Sequence, residues 1–148
     1  MNKAYQRVQS AVLDLDSTSS LLIIPLTGSC QVVEFGVVCT DTADLNACTV
    51  KLQYVDGAGN ATDIATCTAT ASSNRWTTTR KKVDVSVEKA NDKYTVNGTV
   101  VSDTDGIAFL QVKVTSAGDA NSNGVLYADV CHSGSQIESA HTTEVLSA

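Results

Sequence analysis

Gly106–Cys131 reads GIAFLQVKVTSAGDANSNGVLYADVC, two apolar-rich runs joined by a linker of Ser, Gly, Asp and Asn. In the first run Ala108, Leu110, Val112 and Val114 share one face, with Gln111, Lys113 and Thr115 opposite. A period of two is the signature of a half-buried strand, because successive side chains on extended backbone point to opposite faces. The second run, Val125 to Cys131, is apolar on both faces, as a central or interface strand is. The stretch therefore predicts a long antiparallel hairpin, with the remaining strands arranged around it.

The same alternation recurs upstream. Val33, Phe35, Val37 and Cys39 share a face with Glu34 opposite, and Cys48, Val50, Leu52 and Tyr54 alternate with Thr49, Lys51 and Gln53. Thr62 to Thr70 is a less marked strand. Val83, Val85 and Val87 form another, and Tyr94, Val96 and Val100 continue the pattern. Asp56-Gly-Ala-Gly-Asn60 is a turn, since Gly57 and Gly59 accept positive φ at no steric cost. Leu21 to Leu26 (LLIIPL) is wholly apolar, and Pro25 confines it to a strand edge or strand end.

About eight short strands at even spacing predict an all-β fold: a β-sandwich or jelly roll of antiparallel strands. The expected organisation is a polar N-terminal arm or short helix at 1–20, a sandwich domain at 21–132 and a C-terminal tail at 133–148. The helix alternative at the N-terminus rests on Tyr5, Val8, Val12 and Leu15, which fall three and four residues apart.

With 148 residues the chain is one domain of ordinary size. Abundant β-branched residues and a single proline, Pro25, agree with strands. The net charge of −6 offers no general attraction to nucleic acid or an anionic membrane. Charge is uneven, however: Arg75, Arg80, Lys81, Lys82, Lys89 and Lys93 crowd the middle of the chain, and no Lys or Arg follows Lys113.

Five cysteines (Cys30, Cys39, Cys48, Cys67 and Cys131) include no C-x-x-C pair, so they do not match a zinc site. Cys39, Cys48 and Cys131 fall on apolar faces and read as small buried hydrophobes, which suits folding in a reducing cytoplasm. The first residues lack the apolar core of a signal peptide, and no apolar run is long enough to span a bilayer. A soluble protein made without a secretion signal is expected.

Asp119-Ala-Asn121-Ser-Asn123-Gly124 matches the first half of a calcium loop. Asp119, Asn121 and Asn123 are thus calcium candidates. The match stops at Val130, where the loop needs a bidentate glutamate, and the residues are also those of an ordinary turn. His132 and His141 suggest a Cys131–His141 or Ser133–His141 dyad, but no nucleophile elbow or oxyanion loop accompanies them. No acid–base pair stands out, so neither an enzyme nor a cofactor is expected. Arg75, Trp76, Arg80, Lys81 and Lys82 form one cationic–aromatic cluster. Because Trp and Arg are favoured anchors in protein contacts, Arg75, Trp76 and Arg80 are interface candidates, together with Val125 and Tyr127.

The polar first residues, the apolar run IIPLTGSCQVVEFGVVCT and the late SAGDANSNGVLYADV together resemble head decoration (cement) proteins of tailed bacteriophages. The resemblance is one of composition and arrangement over Leu21 to Cys131. It implies a jelly-roll or related sandwich, commonly a homotrimer, made in the host cytoplasm. Such a protein sits on the capsid surface of the virion and clamps neighbouring capsomers of the major capsid protein, with no nucleic acid or membrane as partner. The alternative is a carbohydrate- or receptor-binding β-sandwich of a phage fibre or tail, using Trp76 and calcium at Asp119, Asn121 and Asn123.

Overall fold

The computed structural model describes residues 3–26, 28–40, 48–69, 78–90, 93–102, 109–118 and 122–133. These residues contain strands and turns and no helix. Eleven strands are present: β1 (Lys3–Gln9), β2 (Leu13–Asp14), β3 (Leu21–Pro25), β4 (Cys30–Cys39), β5 (Thr49–Val55), β6 (Ala61–Thr68), β7 (Thr78–Ala90), β8 (Lys93–Val96), β9 (Thr99–Ser102), β10 (Phe109–Ser116) and β11 (Asn123–Ser133). They form two antiparallel sheets. The large sheet runs β1-β11-β4-β7-β8-β9, with β2 also paired to β11, and the small sheet runs β3-β10-β5-β6.

The sheets face one another as a β-sandwich, as the alternation predicts. The large sheet contributes Val8, Val32, Phe35, Val37, Val85, Val87, Leu126, Ala128 and Val130 to the core. The small sheet contributes Leu22, Ile24, Val50, Leu52, Leu110, Val112 and Val114. Cys39, Cys48, Cys67 and Cys131 are buried free thiols, and Cys30 is half-buried.

Four local expectations are corrected. First, β10 and β11 are not a hairpin. β10 lies between β3 and β5 in the small sheet, and β11 lies between β1 and β4 in the large one. Both ends of the connection between them, Gly118 and Ser122, are held to the fully buried Leu15. Leu15 N–H donates to the Ser122 carbonyl (2.9 Å), and Gly118 N–H donates to the Leu15 carbonyl (2.8 Å). Apolar residues on both faces of β11 arise because its outer face is covered as well.

Second, the N-terminal segment is neither a helix nor an unpaired arm. Lys3–Gln9 pairs with β11 in continuous register, from Lys3 opposite Ser133 to Gln9 opposite Tyr127. Val8 enters the core, while Tyr5, Arg7 and Gln9 face outward. The three-and-four spacing was a coincidence of a strand followed by a two-leucine plug, Leu13 and Leu15.

Third, the face sharing in β4 shifts. Val32 is in the core and Val33 is half-buried. Both neighbours change register at this level, β7 between Val32 and Glu34 and β11 between Asp129 and Val130. A bulge of this kind inserts one residue and inverts the alternation. Fourth, Val100 is exposed, because Asn97-Gly98 turns the chain between Val96 and Thr99. Both turn residues have positive φ (50° and 83°), the requirement of a tight hairpin turn and the reason for an Asn-Gly pair there.

The expected turn at Asp56–Asn60 is present. The Asp56 carboxylate accepts from the N–H groups of Ala58 and Asn60, and Gly59 takes φ +87°. The tail at 134–148 lies outside the described residues.

Gly36 sits at the centre of the large sheet, opposite Tyr127 on β11 and Arg80 on β7. A Cβ there would fall well inside contact distance of the Thr79 carbonyl oxygen and reach 3.0 Å from the Arg80 Cα. Backbone rather than a flexible side chain obstructs it. Gly36→Ala is expected to cost about 2–3 kcal/mol, whereas Gly28→Ala, with open space around its Cβ position, should stay within about 0.5 kcal/mol. Urea unfolding of the two variants checks this difference.

Candidate interaction surface

The outer face of the large sheet carries the densest polar cluster among the described residues. It follows from strand periodicity: with Leu126, Ala128 and Val130 in the core, Tyr127, Asp129 and Cys131 must face outward. Arg7 on β1 stands opposite Asp129, and Asp129 stands opposite Glu34 on β4. Arg7 donates to both Asp129 oxygens, from Nε at 2.7 Å and from Nη2 at 2.9 Å. A paired fork of this kind fixes direction as well as distance.

Tyr127 stands opposite Gly36 in register, on the outer face of the sheet. Its hydroxyl donates to Glu34 Oε2 at 2.7 Å. The Arg7 guanidinium lies over the ring, 4.2 Å from its centroid, a cation–π contact. Arg7 also stands 3.9 Å from Glu34. Under this cover Tyr127 is only 1% exposed although it faces away from the core. Burial, and then the hydrogen bond to Glu34, raise its phenol pKa well above the ordinary range.

A second network crosses the outer face of the small sheet. Gln111 Nε2 donates to Gln53 Oε1 at 2.7 Å, and Gln53 Nε2 donates to Asp63 Oδ1 at 2.7 Å. Lys51 Nζ lies 2.6 Å from Asp63 Oδ2. The hydrogen bonds from Lys51 and Gln53 hold the Asp63 carboxyl below its usual pKa.

A groove of about 290 Å³ opens at the end of the large sheet where β4 and β11 meet β7, lined by Ser29, Cys30, Gln31, Glu88, Cys131, His132 and their neighbours. His132 is 7% exposed, and its buried Nδ1 has no hydrogen-bond partner among the described residues. Burial, with a smaller contribution from neighbouring Cys131, pushes the Cys30 thiol up to about 11. A thiol held protonated is a poor nucleophile. Hydroxyl, amide and carboxylate groups around a concavity are instead suited to hydrogen-bonding a polar ligand.

The sequence-nominated residues fall as follows. Tyr127 is at the heart of the outer network but buried, so it supports the surface rather than presenting itself to a partner. Val125 is half-buried on the same face, opposite Val38. Arg80 is exposed on β7. Arg75, Trp76, Asp119, Asn121 and His141 lie outside the described residues. Asn123 opens β11, opposite Asp14, and its carbonyl accepts from Thr40 N–H at 3.1 Å. Among the described residues no group of three or more His, Cys, Asp or Glu side chains is placed to hold a metal ion.

Sequence reading missed the Arg7–Asp129–Glu34–Tyr127 network. A signal for it existed: Tyr5, Arg7 and Gln9 alternate with Val8 as a strand's outer face does, but the helix-like spacing took precedence.

No protein-family model matches the chain, and neither the curated proteins nor the solved structures contain a match.

The buried acids give a pH signature. Burial raises Cys30 and Cys48 from 9.0 to about 11, and Cys67 and Tyr127 are raised as well. The unfolded chain therefore releases these protons at a lower pH than the folded one does. Stability is fully present below pH 9.0, where both states are protonated, and is lost as pH rises towards about 11. A thermal-melting series across that window should show a falling Tm, and Cys48→Ala should make the fall shallower.

Proposed function

We propose that this chain is a structural virion protein, a decoration or cement subunit that binds between capsomers on a tailed-phage head. Its partners in this reading are further copies of itself, as a trimer, and the major capsid protein. The observation that carries it is the location of the exposed apolar side chains. Tyr5 (72% exposed) and Val12 (57%) lie along one edge of the large sheet, and Val100 (61%) lies on β9 at the other.

Large apolar groups left in water at both edges of one sheet suit a subunit that is gripped from two sides. Contact between unlike edges is heterologous, and heterologous contacts close into rings when the rotation allows. The sandwich class is the one that the resemblance in the sequence implies, and the polar outer networks supply a stiff scaffold between the two edges.

A carbohydrate- or receptor-binding role is the second reading. The groove beside Gln31, Glu88 and His132 favours it, since its polar groups converge on one concavity.

Light scattering of the purified chain should return the mass of a trimer, and the protein should co-sediment with undecorated phage heads. Tyr5→Ser with Val12→Ser should weaken that co-sedimentation by about tenfold or more while leaving Tm unchanged. Binding to heads that survives the double substitution, or a protein that ignores heads and binds glycans, would reject the cement reading.

A further inference from the structure

β7 is thirteen residues long, more than either neighbour covers. β4 pairs with it from Thr78 to Val87. On the other side β8 pairs only from Val87 to Ala90. Asn97 then ends that ladder: its N–H donates to the Ser86 carbonyl at 2.9 Å, and its side-chain oxygen accepts from Ser86 N–H at 3.1 Å. Among the described residues, no strand pairs with the far side of Thr78–Val85.

This edge, unpaired among the described residues, is cationic. Arg80, Lys81 and Lys82 are consecutive and exposed. Among the described residues none of the three side chains makes a salt bridge or a hydrogen bond. Lys82 even stands opposite Glu34 in register, yet the Glu34 carboxylate is turned to the Tyr127 hydroxyl and Arg7. In a chain of net charge −6, three adjacent cations thus have no ion-pair partner among the described residues. Arg80 and Lys82 share the outer face, and Lys81 points the other way.

Lysines on a free edge commonly guard it against pairing. The guard is selective, however: it repels a cationic strand, including another copy of β7, and attracts an acidic one. A backbone edge without a strand partner and cations without ion-pair partners, as among the described residues here, are together what the addition of an acidic strand requires. We infer that Thr78–Val85 is a docking edge for an extended acidic peptide segment of a partner protein, which adds as a strand with carboxylates at alternate positions meeting Arg80 and Lys82. The inference does not rest on the particle reading and applies to whichever partner carries such a segment.

The probe is a fluorescein-labelled peptide of about eight residues alternating glutamate with valine, titrated into the full chain at low salt. Two further versions carry N-methyl groups along one backbone edge or the other. Binding should be saturable, and one methylated version should bind about tenfold more weakly or worse, because only one edge faces β7. Arg80→Glu with Lys82→Glu should weaken binding by at least about tenfold, with Tm unchanged. In the unaltered protein, amide hydrogen exchange across Thr78–Val85 should slow when the peptide is added, a readout that depends on no variant. The inference is overturned by no binding, by equal binding of both methylated peptides, or by an oligothymidine competitor that binds more tightly than the peptide.

Discussion

The close approach of β7 to β4 at Gly36 is the constraint on which the large sheet depends. Glycine is required there because the Thr79 carbonyl occupies the volume a side chain would take. On the outer face Tyr127 stands opposite Gly36 in register, with the Arg7 guanidinium over its ring. Three further strands meet around this glycine: β7 by backbone contact, β11 with Tyr127 opposite it, and β1 through Arg7 over the Tyr127 ring and its fork onto Asp129. The bulge beside Val33 lies within the same few residues, where added twist allows backbones to approach this closely.

Much of the fold was legible because burial writes itself into strand periodicity. Leu110, Val112 and Val114 lie in the core as their alternation implies, and so do Val50, Leu52, Val85 and Val87. Partner choice between strands was not legible. The linker after Ser116 has the composition of a hairpin turn, but a turn-forming segment can also cross from sheet to sheet. Which it does depends on Leu15 and Ser122, far from one another in sequence. Asn97-Gly98, by contrast, was a strong local signal, obscured by reading Val96 and Val100 as one continuous pattern.

The candidate surfaces were less legible still, for a physical reason. A preorganised catalytic site leaves compact motifs, because its groups need fixed spacing. A contact surface is assembled from residues that meet only after folding: Arg7 and Asp129 are at opposite ends of the chain yet share two hydrogen bonds. Tyr127 shows the converse. Its type nominated it for an interface, and its surroundings bury it. Arg80 was nominated by residue type, and its setting, on a strand with one side unpaired among the described residues, became visible only in the sheet order.

The pairing of β1 with β11 also orders events in time. Among the described residues β11 and its flanking plug are what hold β1 in place, and Lys3 lies opposite Ser133. A chain made from its N-terminus has every other strand available before this one can close. Contacts of such long sequence separation form slowly, so β1 is expected to be among the later parts of the large sheet to settle. Until then it is a single extended segment with an apolar face, Val8, seeking a β11 edge. In a crowd of nascent copies the nearest such edge can belong to a neighbour, and the same seven residues that complete one subunit then link two.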